Sequence, residues 1–366
     1  MTDLQEHQKG NYLRDPYREW VADQGVPSIE EFSVDLLSLD TAPWARLGAN
    51  AAFVKLKGGG DEVCLCVIDL APGSSCDLQR HLYEEVVYVL NGRGSTQVVR
   101  PDGRTHTFEW GPKSLFALPM NAQYRHFNAS GQEPARLACT ISLPLLLSLF
   151  RDEEFIFHTE RDFPDRFGAE RLFEGEGDLV PAPLSRTMWE TNFVPDLASF
   201  DNLIEWKSRG AGGRNVIFVM ADGTMHAHIS EMPVGTYKKG HRHGPDYLVF
   251  AVTGHGYSLL WYEGDQDYVR VDWKHGVVYS PPDQMFHQHF NTSLEPARYL
   301  ATAFGSARFP FSARQRFAFE NVERKYQDGG LQVEYEDQDP RIHAIFVEEL
   351  ERNGVDLKMS EFPVRT

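Results

Sequence analysis

Gly235-Thr-Tyr-Lys-Lys-Gly-His241-Arg-His243 decides how this chain is read, together with Gly276-Val-Val-Tyr-Ser-Pro-Pro282 and His287 downstream. Two histidines two apart on a strand point to the same face, because side chains alternate along an extended chain. A third histidine on a neighbouring strand closes a cap of three imidazoles over one ion. Neutral imidazole suits Fe, Zn, Cu and Ni, whereas Mg and Ca prefer oxygen. A cap of three leaves positions open for a substrate or a gas.

Working outward, the chain repeats itself. Asn128-Ala-Ser-Gly-Gln-Glu-Pro-Ala-Arg-Leu-Ala138 echoes Asn291-Thr-Ser-Leu-Glu-Pro-Ala-Arg-Tyr-Leu-Ala301, and Tyr124-Arg-His-Phe-Asn128 echoes His287-Gln-His-Phe-Asn291. Gln79-Arg-His81 stands where His241-Arg-His243 stands, each six residues after a glycine, Gly73 or Gly235. Asn91-Gly-Arg-Gly94 matches Thr253-Gly-His-Gly256. One domain is therefore expected twice, over 45–150 and 205–310, with an N-terminal arm (1–44), a linker (151–204) and a C-terminal arm (311–366).

Each copy consists of short runs rich in Val, Ile, Leu, Phe and Tyr, punctuated by Gly, Pro, Asn and Asp. Val86-Val-Tyr-Val-Leu90 and Tyr247-Leu-Val-Phe-Ala-Val252 are the clearest strands. Closely spaced strands with no helical pattern between them read as an all-β sandwich or barrel. Helical signals lie outside the copies. Residues 8–23 suit a short arm, and Pro340-Arg-Ile-His-Ala-Ile-Phe-Val-Glu-Glu-Leu-Glu-Arg-Asn-Gly354 has Pro at its start, Ile342, Ile345, Phe346 and Leu350 on one face, and a Gly stop. The acidic linker, rich in Pro and Phe, is expected to pack over the second barrel.

The chain has 366 residues, 42% of them hydrophobic, enough for a sizeable core. A net charge of −17 argues against nucleic acid and against an anionic membrane surface. Cys64, Cys66, Cys76 and Cys139 read as reduced, buried thiols of a cytoplasmic protein. The polar N-terminus reads as neither signal peptide nor anchor. The longest apolar run, 141–150, contains a proline and is too short to span a bilayer. No nucleophile elbow, P-loop or dinucleotide fingerprint stands out.

The glycine, the His-x-His pair, the later glycine and the Gly–Pro stretch leading to a third histidine resemble the two motifs of the cupin superfamily, and the duplication resembles a bicupin. The resemblance implies two tandem jelly-roll (double-stranded β-helix) barrels. In the second copy Gly235, His241, His243, Gly254, Gly276, Pro282, His287 and Asn291 all fall in register. The family often carries a glutamate four residues after the His-x-His pair, where this chain has Tyr247. The second barrel thus resembles three-histidine cupins, among them gentisate-type, diketone-cleaving and thiol dioxygenases, which typically use Fe(II). In the first copy the same positions read Gln79, His81, Glu85 and Tyr124, a degenerate site expected to hold no metal or to hold it weakly. Gentisate-type bicupins usually carry the metal in the first barrel, so this arrangement departs from theirs.

His241, His243 and His287 are therefore the expected metal ligands. The bland alternative is three satisfied histidines in a polar barrel. Tyr247 shares their face, as substrate contact or as packing. His226 and His228 align with Cys64 and Cys66, whose parity continues into Ile68 and Leu70, so they are expected to look into the barrel as substrate-orienting groups, or even to hold a second ion; the alternative is a pair on the outer face. His289, matched by His126, supports the barrel or the ligands. His255, His275, His106, His158 and His343 read as surface or structural. Trp261, Tyr257, Phe250 and Phe286 are candidate pocket walls, although strand aromatics are usually core.

The resulting expectation is a mononuclear non-heme Fe(II) dioxygenase, with Mn, Zn, Ni or Cu as other metals, acting on a small chelating aromatic diol, hydroxy acid, enolisable ketone or thiol with O2. One alternative keeps the metal as a Lewis acid for an isomerase, lyase or hydrolase of a small hydroxy- or keto-acid. Another is a non-enzymatic small-molecule binder. Two barrels can pair within one chain, and the arms leave room for a homo-oligomer.

Overall fold

The computed structural model describes residues 13–182, 187–244 and 247–365. Residues 8–12 of the expected N-terminal arm lie outside that range. The fold is all-β: two tandem jelly-roll barrels, each a large sheet facing a three-stranded one. In the first, Ala49–Leu56, Cys64–Leu70, Ala135–Ile141, Glu85–Asn91 and Leu115–Leu118 lie side by side, opposite Gln123–Asn128, Gly94–Val99 and Thr105–Trp110. In the second, Arg214–Val219, Met225–Met232, Ala297–Phe304, Leu248–Thr253 and Val277–Tyr279 face Val269–Lys274, His255–Trp261 and Phe286–Asn291.

Strands of the large sheets are buried on both faces, so they read as nearly continuous apolar runs. Along Cys64–Leu70, Cys64, Cys66 and Ile68 face the first barrel's interior, while Leu65 and Val67 face away. Leu65 and Val67 join Val86, Tyr88, Phe218, Phe250 and Leu300 in a core shared by the two barrels. Each such side chain contributes roughly 1.5–3 kcal/mol through burial. All four cysteines are free and buried.

The repeated Asn has a structural cause. Asn128 donates from Nδ2 to the carbonyls of Leu70, Ala71 and Glu133, and Asn291 donates to those of Met232, Pro233 and Glu295. Each carboxamide thus ties a turn to the end of a neighbouring strand. His126 and His289 are also matched: each pairs through Nδ1 with a hydroxyl, Thr96 (2.7 Å) or Ser258 (2.8 Å), which in turn accepts from Trp110 or Trp273.

The arms and the linker bind both barrels. Ser28–Glu31 adds to the first barrel's edge beside Ala49–Leu56, and Ser33–Asp35, one residue later, pairs with Val277–Tyr279 of the second. The linker packs on both barrels, not only on the second. Thr187–Glu190 pairs with Arg214–Val219, and Phe193–Val194 pairs with Leu115–Leu118. The C-terminal helix Pro340–Asn353 is capped by the Asp339 side chain at its start and by Gly354 (φ 65°) at its end. It buries Ile342, Phe346 and Leu350 against Tyr237, Tyr257 and Phe290. Among the described residues no helix is long and apolar enough to cross a membrane.

Candidate metal centre

Gly235 has φ 68°, and a Cβ there would sit 2.0 Å from the Asp356 carbonyl oxygen, so only glycine fits the turn that launches the histidine segment. That segment then runs antiparallel to Phe286–Asn291. His241 and His287 exchange both main-chain hydrogen bonds, at 3.0 and 2.8 Å. On its other side it is flanked by the C-terminal arm, where Val333 N–H donates to Gly240 O and Arg242 N–H to Leu331 O.

This backbone frame brings the three expected rings together. Ring centroids lie 4.1 Å apart for His241–His287, 4.7 Å for His243–His287 and 5.4 Å for His241–His243. One nitrogen from each lies within 4.8 Å of the others, and among the described residues no carboxylate or thiol joins the cluster. Bonds of about 2.1 Å at tetrahedral angles would put the donors about 3.4 Å apart, so ring rotations would be needed to close the cap. His243 Nδ1 meets the Gly244 carbonyl at 2.9 Å and His287 Nδ1 meets that of Met285 at 3.2 Å. A carbonyl only accepts, so both Nδ1 atoms carry the proton and both Nε2 lone pairs are free for a cation. His241 Nδ1 is buried with no hydrogen-bond partner. Burial holds His241 and His287 well below the usual histidine range, and His243 at about 4, so all three are neutral donors near pH 7. Donor type, number, tautomer and protonation all fit a metal ion.

His241 and His243 open on a cavity of about 70 Å³ that Tyr247, His226, His228 and Tyr299 also line. Tyr247 packs on His243 at 4.1 Å and faces His226 at 5.4 Å. His226 and His228 point inward, as their alignment with Cys64 and Cys66 implies. His226 Nε2 lies 2.8 Å from His228 Nδ1. One ring donates to the other there, which does not suit a second ion held between them. His289 stands beside the cluster, 6.2 Å from His241, held by Ser258 and Tyr279.

Of the two readings of the strand aromatics, wall or core, packing is the one the structure shows, and the wall reading is corrected. Trp261, Tyr257, Phe250 and Phe286 are absent from the lining. Tyr257 stacks on Phe290 at 4.6 Å under the C-terminal helix, Phe250 belongs to the core between the barrels, and Trp261 stacks on Phe286 at 5.7 Å. They lie on the faces that meet the arms and the other barrel. Among the polar residues that the sequence reading passed over and that do line the cavity are Arg209, Lys238 and Tyr299. Arg209 is 3% exposed and donates to Gln332 Oε1 at 2.8 Å. The repeat itself carried a signal for the other two, because Lys238 and Tyr299 align with apolar Cys76 and Leu137.

In the first barrel Gln79 and Tyr124 form the same backbone bridge as His241 and His287. The side chains there satisfy one another. His81 Nε2 lies 2.9 Å from Tyr124 OH and 3.2 Å from Glu85, and Tyr124 donates to Glu85 at 2.8 Å. Burial works to raise the Glu85 carboxyl, but the hydrogen bond and charge of His81, with His126 nearby, bring it down to about 2. Gln79 turns away and donates to the carbonyls of Arg46 and Asp77.

The family model for auxin binding protein matches residues 43–170. No curated protein matches the chain. Among solved structures, the formate complex of Lactobacillus farciminis oxalate decarboxylase is similar at 15% identity, over 78% of this chain and 90% of that one, with a TM-score of 0.49. Bacillus subtilis oxalate decarboxylase at pH 4.6 is similar at 16% identity, over 78% of this chain and 79% of that one, with a TM-score of 0.48.

Proposed function

We propose that the C-terminal barrel is the active site of a metal-dependent enzyme, and specifically of a mononuclear non-heme Fe(II) dioxygenase. One observation carries this reading: three neutral imidazoles, two buried and one half-buried, converge beside a small cavity with no carboxylate in the cluster among the described residues. Fe(II), when bound, supplies the electrons and open positions for O2 and substrate.

The chain's own residues do the rest. His241, His243 and His287 hold the ion, with Gly244 and Met285 carbonyls fixing two of the rings. Three neutral ligands leave the ion's charge uncompensated, so the site favours an anionic, chelating substrate: an enolate, a diolate, a hydroxy acid or a thiolate. Tyr247, packed on His243, orients that substrate. The His226–His228 hydrogen bond lets a proton taken at one ring be delivered at the other. Four free, buried thiols are in keeping with a cytoplasmic protein.

The same proton-handling pair also favours a second reading, in which the ion is a Lewis acid for an isomerase, lyase or hydrolase of a small hydroxy- or keto-acid. Elemental analysis of anaerobically purified protein, followed by O2 uptake with candidate chelating acids, diols and thiols, separates the two. About one iron per chain with substrate-dependent O2 consumption supports the dioxygenase. Anaerobic turnover with Mn or Zn selects the Lewis-acid enzyme. A protein whose stability is indifferent to every metal tested would sink both.

A further inference from the structure

The chain builds one fold twice, so each position in the second barrel has a counterpart showing what the fold alone requires. Cys76 and Leu137, the counterparts of Lys238 and Tyr299, are buried and apolar in character. The fold therefore needs neither an ammonium nor a phenol at these places. In the second barrel Lys238 is 3% exposed, its Nζ lies 3.3 Å from Tyr299 OH, and it makes no ion pair with any carboxylate among the described residues. Of the groups that favour its charge, Tyr299 is its hydrogen-bond partner and Glu231 is already engaged by Arg214 and Arg298. A buried cation without a counter-ion costs stability unless something supplies the missing charge. Both Lys238 and Tyr299 line the cavity into which His241 and His243 open.

We propose that Lys238 and Tyr299 form an anion subsite that takes the carboxylate of a small organic acid whose other oxygens reach the His241–His243–His287 cluster. This rests on the metal-site reading and narrows it: of the substrates above, hydroxy- and keto-acids fit, as diacids would, while neutral diols, ketones and simple thiols leave Lys238 without a counter-ion. Discrimination of this kind is strong, because an analogue lacking the charge strands a buried polar group.

The test is calorimetric titration of manganese-loaded protein with malonate and with its neutral isostere malonamide, for the unmodified chain, Lys238→Met and Tyr299→Phe. Malonate is expected to bind and malonamide not. Lys238→Met should weaken malonate by at least about tenfold, with unchanged metal content and a raised melting temperature, since an apolar chain replaces a buried charge. Tyr299→Phe, which keeps the ring, should weaken malonate less. Equal binding of malonate and malonamide, or malonate binding indifferent to both substitutions, overturns the proposal. Metal content is read separately: should the protein hold none, the metal reading fails, and malonate binding to the metal-free chain that is lost in Lys238→Met still upholds the subsite, whereas no such binding overturns it.

Discussion

Thr140 and Thr302 occupy equivalent positions in the two copies, and their buried hydroxyls lie 2.8 Å apart. The two copies therefore meet at matching positions of the repeat. The hydrogen bond sits inside an otherwise apolar interface built by Val67, Tyr88, Phe250 and Leu300. Valine at either site alone leaves the other hydroxyl buried and unpaired, at a cost of about 1–3 kcal/mol, whereas both together are expected to be close to neutral. Urea denaturation of the two single variants and the double variant closes the cycle; additive losses would contradict this account.

His241→Ala is expected to reduce bound metal from about one ion per chain to near none. His81→Ala should leave the metal content unchanged, because His81 is engaged by Tyr124 and Glu85 in the other barrel. Elemental analysis decides, and retention of metal in the first variant with loss in the second would move the site to the first barrel.

The first barrel is short of ligands, not of geometry. Gln79 and Tyr124 share the backbone bridge that places His241 and His287. Gln79→His combined with Tyr124→His, alongside the resident His81 and Glu85, should therefore create a second site and raise the content to about two ions per chain. A content that stays at one after refolding with excess metal would show that the two frames differ.

Acid should weaken the first barrel in two stages. Burial, the main cause, holds His126 at about 4, against the ordinary histidine value of about 6.5. The unfolded chain thus binds this proton before the folded one does, and stability present above about pH 6.5 is lost as pH falls towards 4, by about 3 kcal/mol in all. Glu85, brought down to about 2 against burial by His81, adds a second loss as pH falls from about 4.5 towards 2. In His126→Gln the slope of stability against pH between 6.5 and 4 should drop by about one proton; an unchanged slope would assign that loss elsewhere.

Much of this was legible because the repeat is strong and the histidine spacing is tied to strand parity. Parity placed His226 and His228 inside the barrel, and the three-histidine cluster forms where the motif puts it. Other features depend on contacts far apart in sequence. Arg209 reaches the cavity because Gln332, from the C-terminal arm, anchors its guanidinium. Lys238 lies within the motif, but only its contact with Tyr299 on a different strand gives it meaning. The strand aromatics had two readings, wall or core, because strand alternation shows which residues share a face, not which face an arm or a second barrel covers.

The stretch from Ser28 to Asp35 hydrogen-bonds to one barrel with its first half and to the other with its second. A gene cut between the copies would therefore leave the second half with a bare strand edge along Val277–Tyr279, which the first copy's flank had covered. Duplication made the units alike; the shared border segment has since tied the rim of the histidine-bearing half to its sister's flank.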